Sequence, residues 1–286
     1  MQTESIMSDR SINLNGTLHK EDEPVILVNN RAFRYGDGLF ETVRVAAGKV
    51  RFLDRHLARL LSSMELLKMQ KPDFFSLPFF EEKIGDLLQK NNITEGGRVR
   101  ITVFRNQGNL YEPDNNIVSY LIEASPVEHN IYTLNEQGLV VDLYNEFKKP
   151  LNRMSCIKSN NSLVYVMAGI YKMENKLDDC ILLNERFNIT EAISSNLFAA
   201  KNGVLYTAPI AEGCLDGIMR TEIINIAKEN RIAVYEVTMA MNVMLNSDEI
   251  FLTNAVRGVR WVGTYRAKRY SSQMAEKLVA LLNAKL

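Results

Sequence analysis

Between Leu53 and Met69 the segment LDRHLARLLSSMELLKM places apolar residues at 53, 57, 60, 61, 64 and 67, a period near 3.6 that fits an amphipathic helix. The runs on either side have the other period. GLFETVRVAAGKVRF reads as two strands around an Ala47-Gly48 turn, and RVRITVF alternates strictly. A helix set between half-buried strands confines the chain to a mixed α/β architecture. The same reading gives a hairpin in SINLNGTLHKEDEPVILVN, turned at Asn15-Gly16, a second helix over 78–91, and a strand in IVSYLIEASP. Further on, LVVDLY, DCILLN, LFAAKNGVLYT, IAVYEV and EIFLTN are strand-like, and helices are predicted at about 160–175, 217–230 and 272–284. SPVEHN is polar and carries a proline. The expected organisation is therefore a disordered tail over 1–10, an N-terminal α/β domain over 11–124, a linker over 125–130, and a C-terminal α/β domain over 131–286 that carries Lys158.

Composition narrows the function classes. The chain has 286 residues, enough for one large or two medium domains, with 34 basic and 34 acidic side chains. That balance gives no electrostatic reason for a nucleic-acid or membrane partner. Cys156, Cys180 and Cys214 are odd in number and widely spaced, which points to reduced thiols in a cytoplasmic protein rather than a disulfide framework or a zinc site. His19, His56 and His129 are equally scattered, so neither a metal nor a histidine triad is expected. The start, MQTESIMSDR, does not read as a signal peptide, and no apolar run reaches the roughly 18 residues of a membrane span.

Some segments hold residues that folding alone does not require. CIKSNNSLVYVMAGIY puts Lys158 at the end of a strand-like run. It could form an imine with an aldehyde cofactor, or be a surface lysine. NITEAISSNLFAA puts Glu191 in a polar turn, where a carboxylate could pair with a pyridinium nitrogen or merely face water. GCLDGIMRTEIINIAKEN runs from a glycine-bearing turn into a helix, so the N–H groups at 217–219 could cradle a phosphate, or form a helix start without a ligand. Arg59 lies on the striped helix, as a phosphate clamp or on a solvated face.

In their order along the chain these segments resemble the fold-type IV enzymes of pyridoxal 5′-phosphate (PLP), a group with branched-chain and D-amino-acid aminotransferases and 4-amino-4-deoxychorismate lyase. The resemblance runs from about residue 12 to residue 265. It is carried by RAFRYGDGLFETVRV, RHLARL, IKSNNSL, TEAISSNLF, LDGIMR and DEIFLTNA. It implies two α/β domains with PLP between them, and a homodimer acting on a small-molecule amino substrate. Lys158 would hold the cofactor and serve as base, and Glu191 would hold the ring nitrogen. The remaining cofactor contacts would come from Arg59, Ser194, Ser195, Asn196, Gly217, Ile218, Met219, Asn254 and Ala255. Many aminotransferases of the group have a threonine where Met219 stands; only the backbone N–H can serve here.

The resemblance also bears on the reaction. Asn254-Ala255, LDG and GIMR resemble the lyase, which forms 4-aminobenzoate and pyruvate for folate synthesis. The alternative is an aminotransferase of the D- or branched-chain type. Branched-chain enzymes carry a substrate-facing arginine in the strand matching RVRITVF. Aligned on that motif the position is Ile101, which disfavours a branched-chain substrate. Arg44, Arg105 and Asn161 are the expected substrate contacts, the two arginines for carboxylates.

Overall fold

The computed structural model describes residues 9–106 and 108–286. They form two units, 9–130 with Lys158–Asn161, and Ile131–Ile157 with Ser162–Leu286. Each is taken by itself below.

In unit 1, β1 (Ser11–Leu14) and β2 (Thr17–Lys20) form the expected hairpin. Its turn residues Asn15 and Gly16 both take positive φ. Then come α1 (Arg31–Tyr35), β3 (Gly38–Ala46), β4 (Lys49–Val50), α2 (Leu53–Leu66), α3 (Leu77–Lys90), β5 (Gly97–Arg105) and β6 (Val118–Pro126). The six strands make one sheet in the order β2-β1-β6-β5-β3-β4. Alternation sorts its faces. Leu39, Val43, Val99, Ile101, Val103 and Ile122 are buried on one face. The α2 stripe packs on β3, with Leu57, Leu60 and Met64 buried, and each such side chain contributes about 1.5–3 kcal/mol by leaving water. Phe40, Thr42, Arg100 and Thr102 lie on the opposite face.

Two expectations change in unit 1, and a third falls mostly outside the described residues. Of the predicted tail, residues 1–8 lie outside the described residues, and Arg10 is ion-paired to Glu21. Of the predicted linker, Ser125 and Pro126 end β6, while Val127 N–H donates to the Gly96 carbonyl and Ala47 N–H to that of Asn130. Segment 125–130 is thus tied to the sheet that precedes it. Lys158–Asn161 also groups with unit 1 rather than with 131–286. The cause is backbone pairing: Phe40 N–H donates to Lys158 O, Asn160 N–H to Gly38 O, and Leu39 bridges Ser159.

Unit 2 contains β7 (Leu139–Lys149), α4 (Leu163–Glu174), β8 (Asp179–Asn184), β9 (Ile189–Ala192), β10 (Asn196–Lys201), β11 (Val204–Thr207), α5 (Ile218–Glu229), β12 (Val234–Glu236), α6 (Val243–Asn246), β13 (Glu249–Asn254), β14 (Gly258–Tyr265), β15 (Lys268–Arg269) and α7 (Gln273–Asn283). The sheet runs β12-β11-β10-β13-β14-β7-β8-β9, and β9 pairs back onto β10 through Glu191 and Asn196. That pairing closes six strands into a ring, with Glu191 at the seam. Its main core includes Leu139, Val141, Ile181, Leu197, Ile250 and Val262, and α4 covers a smaller cluster around Tyr144, Cys180 and Leu182. Among the described residues no helix is long and apolar enough to cross a membrane.

Candidate active site

In unit 1 the motif RYGDGLF and the segment carrying Lys158 are built together. Asn30 caps α1 by accepting from the Ala32 and Phe33 N–H groups, and Gly36 ends it in the left-handed region at φ 65°. A Cβ on Gly36 would come within 2.7 Å of Asn161 Oδ1, and one on Gly38 within 2.5 Å of Asn160 Nδ2. The glycines therefore leave room for the 158–161 segment to lie on β3. Lys158 is half-buried, with Nζ 4.4 Å from the centre of the Phe40 ring. The Arg100 guanidinium stacks on the same ring at 3.8 Å.

Behind β3, Glu41 breaks the apolar alternation and is buried. Its carboxylate accepts from Arg59 Nε at 2.8 Å and from Arg59 Nη2, and lies 2.6 Å from His56 Nδ1. Burial alone would raise the Glu41 pKa. The Arg59 charge and the His56 bond outweigh it and hold the carboxyl at about 2. His56 is lowered by burial against the pull of Glu41. Arg59 is thus fixed by a two-point ion pair, the arrangement a planar anion clamp needs. Sequence reading missed Glu41, although a carboxylate at an inward strand position was a readable sign.

The substrate contacts expected in unit 1 fare differently. Arg105 uses its guanidinium on its own chain: Nε donates to Asp37, Nη2 to the Leu67 carbonyl, and Nη1 to Asn116 and the Lys68 carbonyl. It is buried, and these bonds tie its guanidinium to its own chain. Arg44 is also buried and donates to the His129 carbonyl. Asn161 is exposed and donates to the Gly36 carbonyl. Ile101 faces the helices, and its neighbour Arg100 lies on the face of Phe40, so the argument against a branched-chain substrate falls.

In unit 2, Glu191 stands in β9 rather than in the expected turn, and is buried. Oε1 accepts from Tyr165 Oη at 2.7 Å and from Lys149 Nζ; Oε2 accepts from the Leu215 N–H at 2.8 Å. Burial and the Glu191 charge push the Tyr165 hydroxyl well above its ordinary pKa, so it stays a donor. Lys149 and Tyr165 escaped sequence reading.

The turn after Cys214 brings Gly217 to the start of α5. No side chain among the described residues caps this 12-residue helix, and its first turn holds no acid. A Cβ on Gly217 would fall 1.9 Å from Asn196 Oδ1, so only glycine keeps this approach. Asn196 Nδ2 donates to Leu215 O. Ile218 and Met219 are buried, so the Met219 side chain belongs to the core and the backbone alone faces a ligand question. Thr253 Oγ1, on β13, is buried and has no hydrogen-bond partner among the described residues. Asn254 orders the following turn, its Oδ1 accepting from Val256 and Arg257 N–H groups and its Nδ2 donating to Ser195 Oγ. The Ala255 carbonyl accepts from Tyr132. Ser194, Ser195 and Asn254 line a cavity of about 520 Å³ against α4.

Residues 38–265 match the family model for amino-transferase class IV. The chain belongs to that family. Its members are PLP-dependent enzymes. A provisionally named branched-chain-amino-acid aminotransferase of Methanocaldococcus jannaschii is 30% identical over 252 residues, covering 85% of this chain and 83% of that one. A D-alanine aminotransferase of Bacillus licheniformis is 26% identical over 253 residues, covering 86% and 84%. The solved structure of a provisionally named 4-amino-4-deoxychorismate lyase from Legionella pneumophila superposes with a TM-score of 0.84 at 24% identity, over 93% of this chain and 97% of that one. The residues present suit PLP. Within unit 2 a buried carboxylate, a helix start without an N-cap side-chain bond beside a glycine, and an unpartnered buried hydroxyl are groups that a cationic ring and a phosphate need.

Proposed function

We propose that this chain is an aminotransferase that moves an amino group between an amino acid and a 2-keto acid. The observation that carries the reading is Arg100, a guanidinium stacked on the ring against which Lys158 packs. A cation there can hold the carboxylate of an amino acid close to the lysine amine. Both relatives described above bear aminotransferase names, which supports the same reading.

PLP, when bound, supplies an aldehyde for the amine and a ring that takes up electrons from Cα. Arg59 and the N–H groups of residues 217–219 would be the groups to hold its phosphate, and Ser194, Ser195, Asn196, Asn254 and Ala255 would be its further contacts. Glu191 would keep the proton on its ring nitrogen. Lys158 would hold the cofactor aldehyde through Nζ, and the same amine would be the base that takes up the substrate's Cα proton and the acid that gives it back. Arg100 orients the substrate carboxylate.

Lyase activity on aminodeoxychorismate is the second reading. It is favoured by Asn254-Ala255, the pair that resembles the lyase, where Asn254 orders the following turn by accepting from the Val256 and Arg257 N–H groups. Purified protein with PLP, given L- and D-amino acids with 2-oxoglutarate, should form glutamate. If it forms 4-aminobenzoate from aminodeoxychorismate instead and no glutamate, the aminotransferase reading is wrong. Assembly as a homodimer is part of the proposal. On α4, Leu163, Val166, Ile170 and Met173 are exposed at helical spacing, a stripe that a second copy would cover. Monomer mass by light scattering with full activity would refute that.

A further inference from the structure

Glu191 already has a full-charge partner from its own chain. Lys149 ends β7 after an irregular stretch between Tyr144 and Lys149, and its side chain is as buried as that of Glu191. Its Nζ donates to Glu191 Oε1 and lies 5.6 Å from the centre of the Tyr165 ring. A lysine leaves water at a cost of several kcal/mol, so one that ends in the core does so for a charge. The groups around the carboxylate are Lys149 from β7, Tyr165 from α4, the Leu215 N–H before α5, and the thiols of Cys156 and Cys214, both kept protonated by burial. Lys149 is the one cation among them.

A carboxylate offers about four acceptor directions, and three are filled. Oε1 carries Lys149 and Tyr165. Oε2 carries the Leu215 N–H and keeps one direction, the place left for a further donor.

We propose that Lys149 is a positioning residue that neutralises Glu191 and thereby weakens the grip of Glu191 on the cofactor's ring nitrogen. This rests on the reading that Glu191 receives that nitrogen. A protonated ring arriving at Oε2 meets a carboxylate whose charge is already balanced, and meets the Lys149 ammonium at close range as well. Two cations then share one anion. Without Lys149, the ring becomes the carboxylate's sole counter-ion. At the effective dielectric of buried sites the difference amounts to about a tenfold to hundredfold gain in affinity.

The test compares PLP with its 1-deaza analogue, which keeps the aldehyde and phosphate but has carbon in place of the ring nitrogen. Dissociation constants of both are measured by absorbance titration of cofactor-free protein, wild-type and K149M. Their ratio cancels any change of shape or stability that both ligands feel equally. Wild-type protein should bind PLP more tightly than the analogue, and K149M should widen that preference about tenfold or more. A K149M ratio within about twofold of wild type would overturn the proposal and leave Lys149 as a space-filling ion pair. If wild type does not distinguish the two ligands, the reading of Glu191 fails first, and the proposal with it. K149M leaves a buried carboxylate unpaired and can fail to fold. K149Q keeps a neutral donor toward Oε1 and is judged by the same ratio. In the double variant K149M/E191Q the preference should collapse below the wild-type value; a preference that persists there also overturns the proposal.

Discussion

Replacing Glu41 by Gln tests the buried network of unit 1. The carboxyl of Glu41 is held at about 2, against an ordinary value of 4.5. The difference corresponds to about 3 kcal/mol of stability at neutral pH. Its sign follows from the direction. The folded state lowers this pKa, so the contribution is complete above pH 4.5 and drains away as pH falls from 4.5 toward 2. Glutamine keeps the shape, cannot titrate, and leaves the Arg59 guanidinium without its carboxylate. Breaking one side of a buried pair costs about 3–5 kcal/mol, so two independent lines give similar figures. The expected outcome is a variant about 3 kcal/mol less stable at pH 7, with the gap shrinking below pH 4.5 and nearly closed at pH 2.

The assay is urea unfolding of cofactor-free protein between pH 7 and 2.5. Amide exchange over β3 and α2 reports the local network, and Trp261, the single tryptophan, lies in unit 2 and reports there. His56 is the nearby group that complicates the low-pH arm. It is buried with a lowered pKa and gains a proton as pH falls. Its protonation destabilises wild type and variant alike, and more so the variant that lacks Glu41. The difference must therefore be followed from pH 5 downward rather than read at a single acid pH. A gap between wild type and E41Q that stays constant from pH 6 to pH 3 would refute the reasoning, because it would mean that the Glu41 charge is not what the fold uses.

Four further outcomes follow from the geometry. Wild type should carry borohydride-fixed cofactor on the peptide spanning Lys158, detected by mass, and Lys158→Ala should lose that label while PLP still binds reversibly; a wild-type label at Lys149 instead would reassign the lysine. Gly217→Ala puts a Cβ 1.9 Å from Asn196 Oδ1, so PLP affinity should fall about tenfold or more while that for pyridoxal, without the phosphate, barely changes. Arg100→Met should raise KM for the amino acid about tenfold or more with kcat less affected, whereas Arg105→Met should instead lower stability by about 3 kcal/mol, read by urea unfolding.

The elements that are long and periodic were legible. The α2 stripe, the strict alternation of β5 and the turns at Asn15-Gly16 and Ala47-Gly48 all follow from local rules that the chain carries within a few residues. β9 was not, because its four residues ITEA have no apolar period, and only the pairing with β8 and β10 makes them a strand. α1 was missed as well: five residues give too little periodicity, and the Asn30 cap and Gly36 stop were the readable signals. The 158–161 segment shows the same limit on a larger scale. Nothing in IKSNN says that it pairs with Gly38–Phe40, more than a hundred residues earlier, and that pairing decides which unit holds Lys158.

The candidate site divides along the same line. Its motifs lie in a fixed order and are visible one by one, but the charges that set their chemistry come from elsewhere. Glu41 reaches Arg59 across 18 positions, and Lys149 reaches Glu191 across 42. Substrate choice is subtler still, because it turns on which face of β5 a residue occupies. Ile101 and Arg100 are neighbours, yet one is buried toward the helices and the other lies against Phe40. A shift of one residue in a strand moves every side chain to the other face, so a motif alignment can recover the family while inverting the argument about its substrate. On the proposed reading it is the groups on the Phe40 face that choose the substrate, and that face holds Arg100 with its ion-pair partner Glu123, together with Arg44 and Arg98.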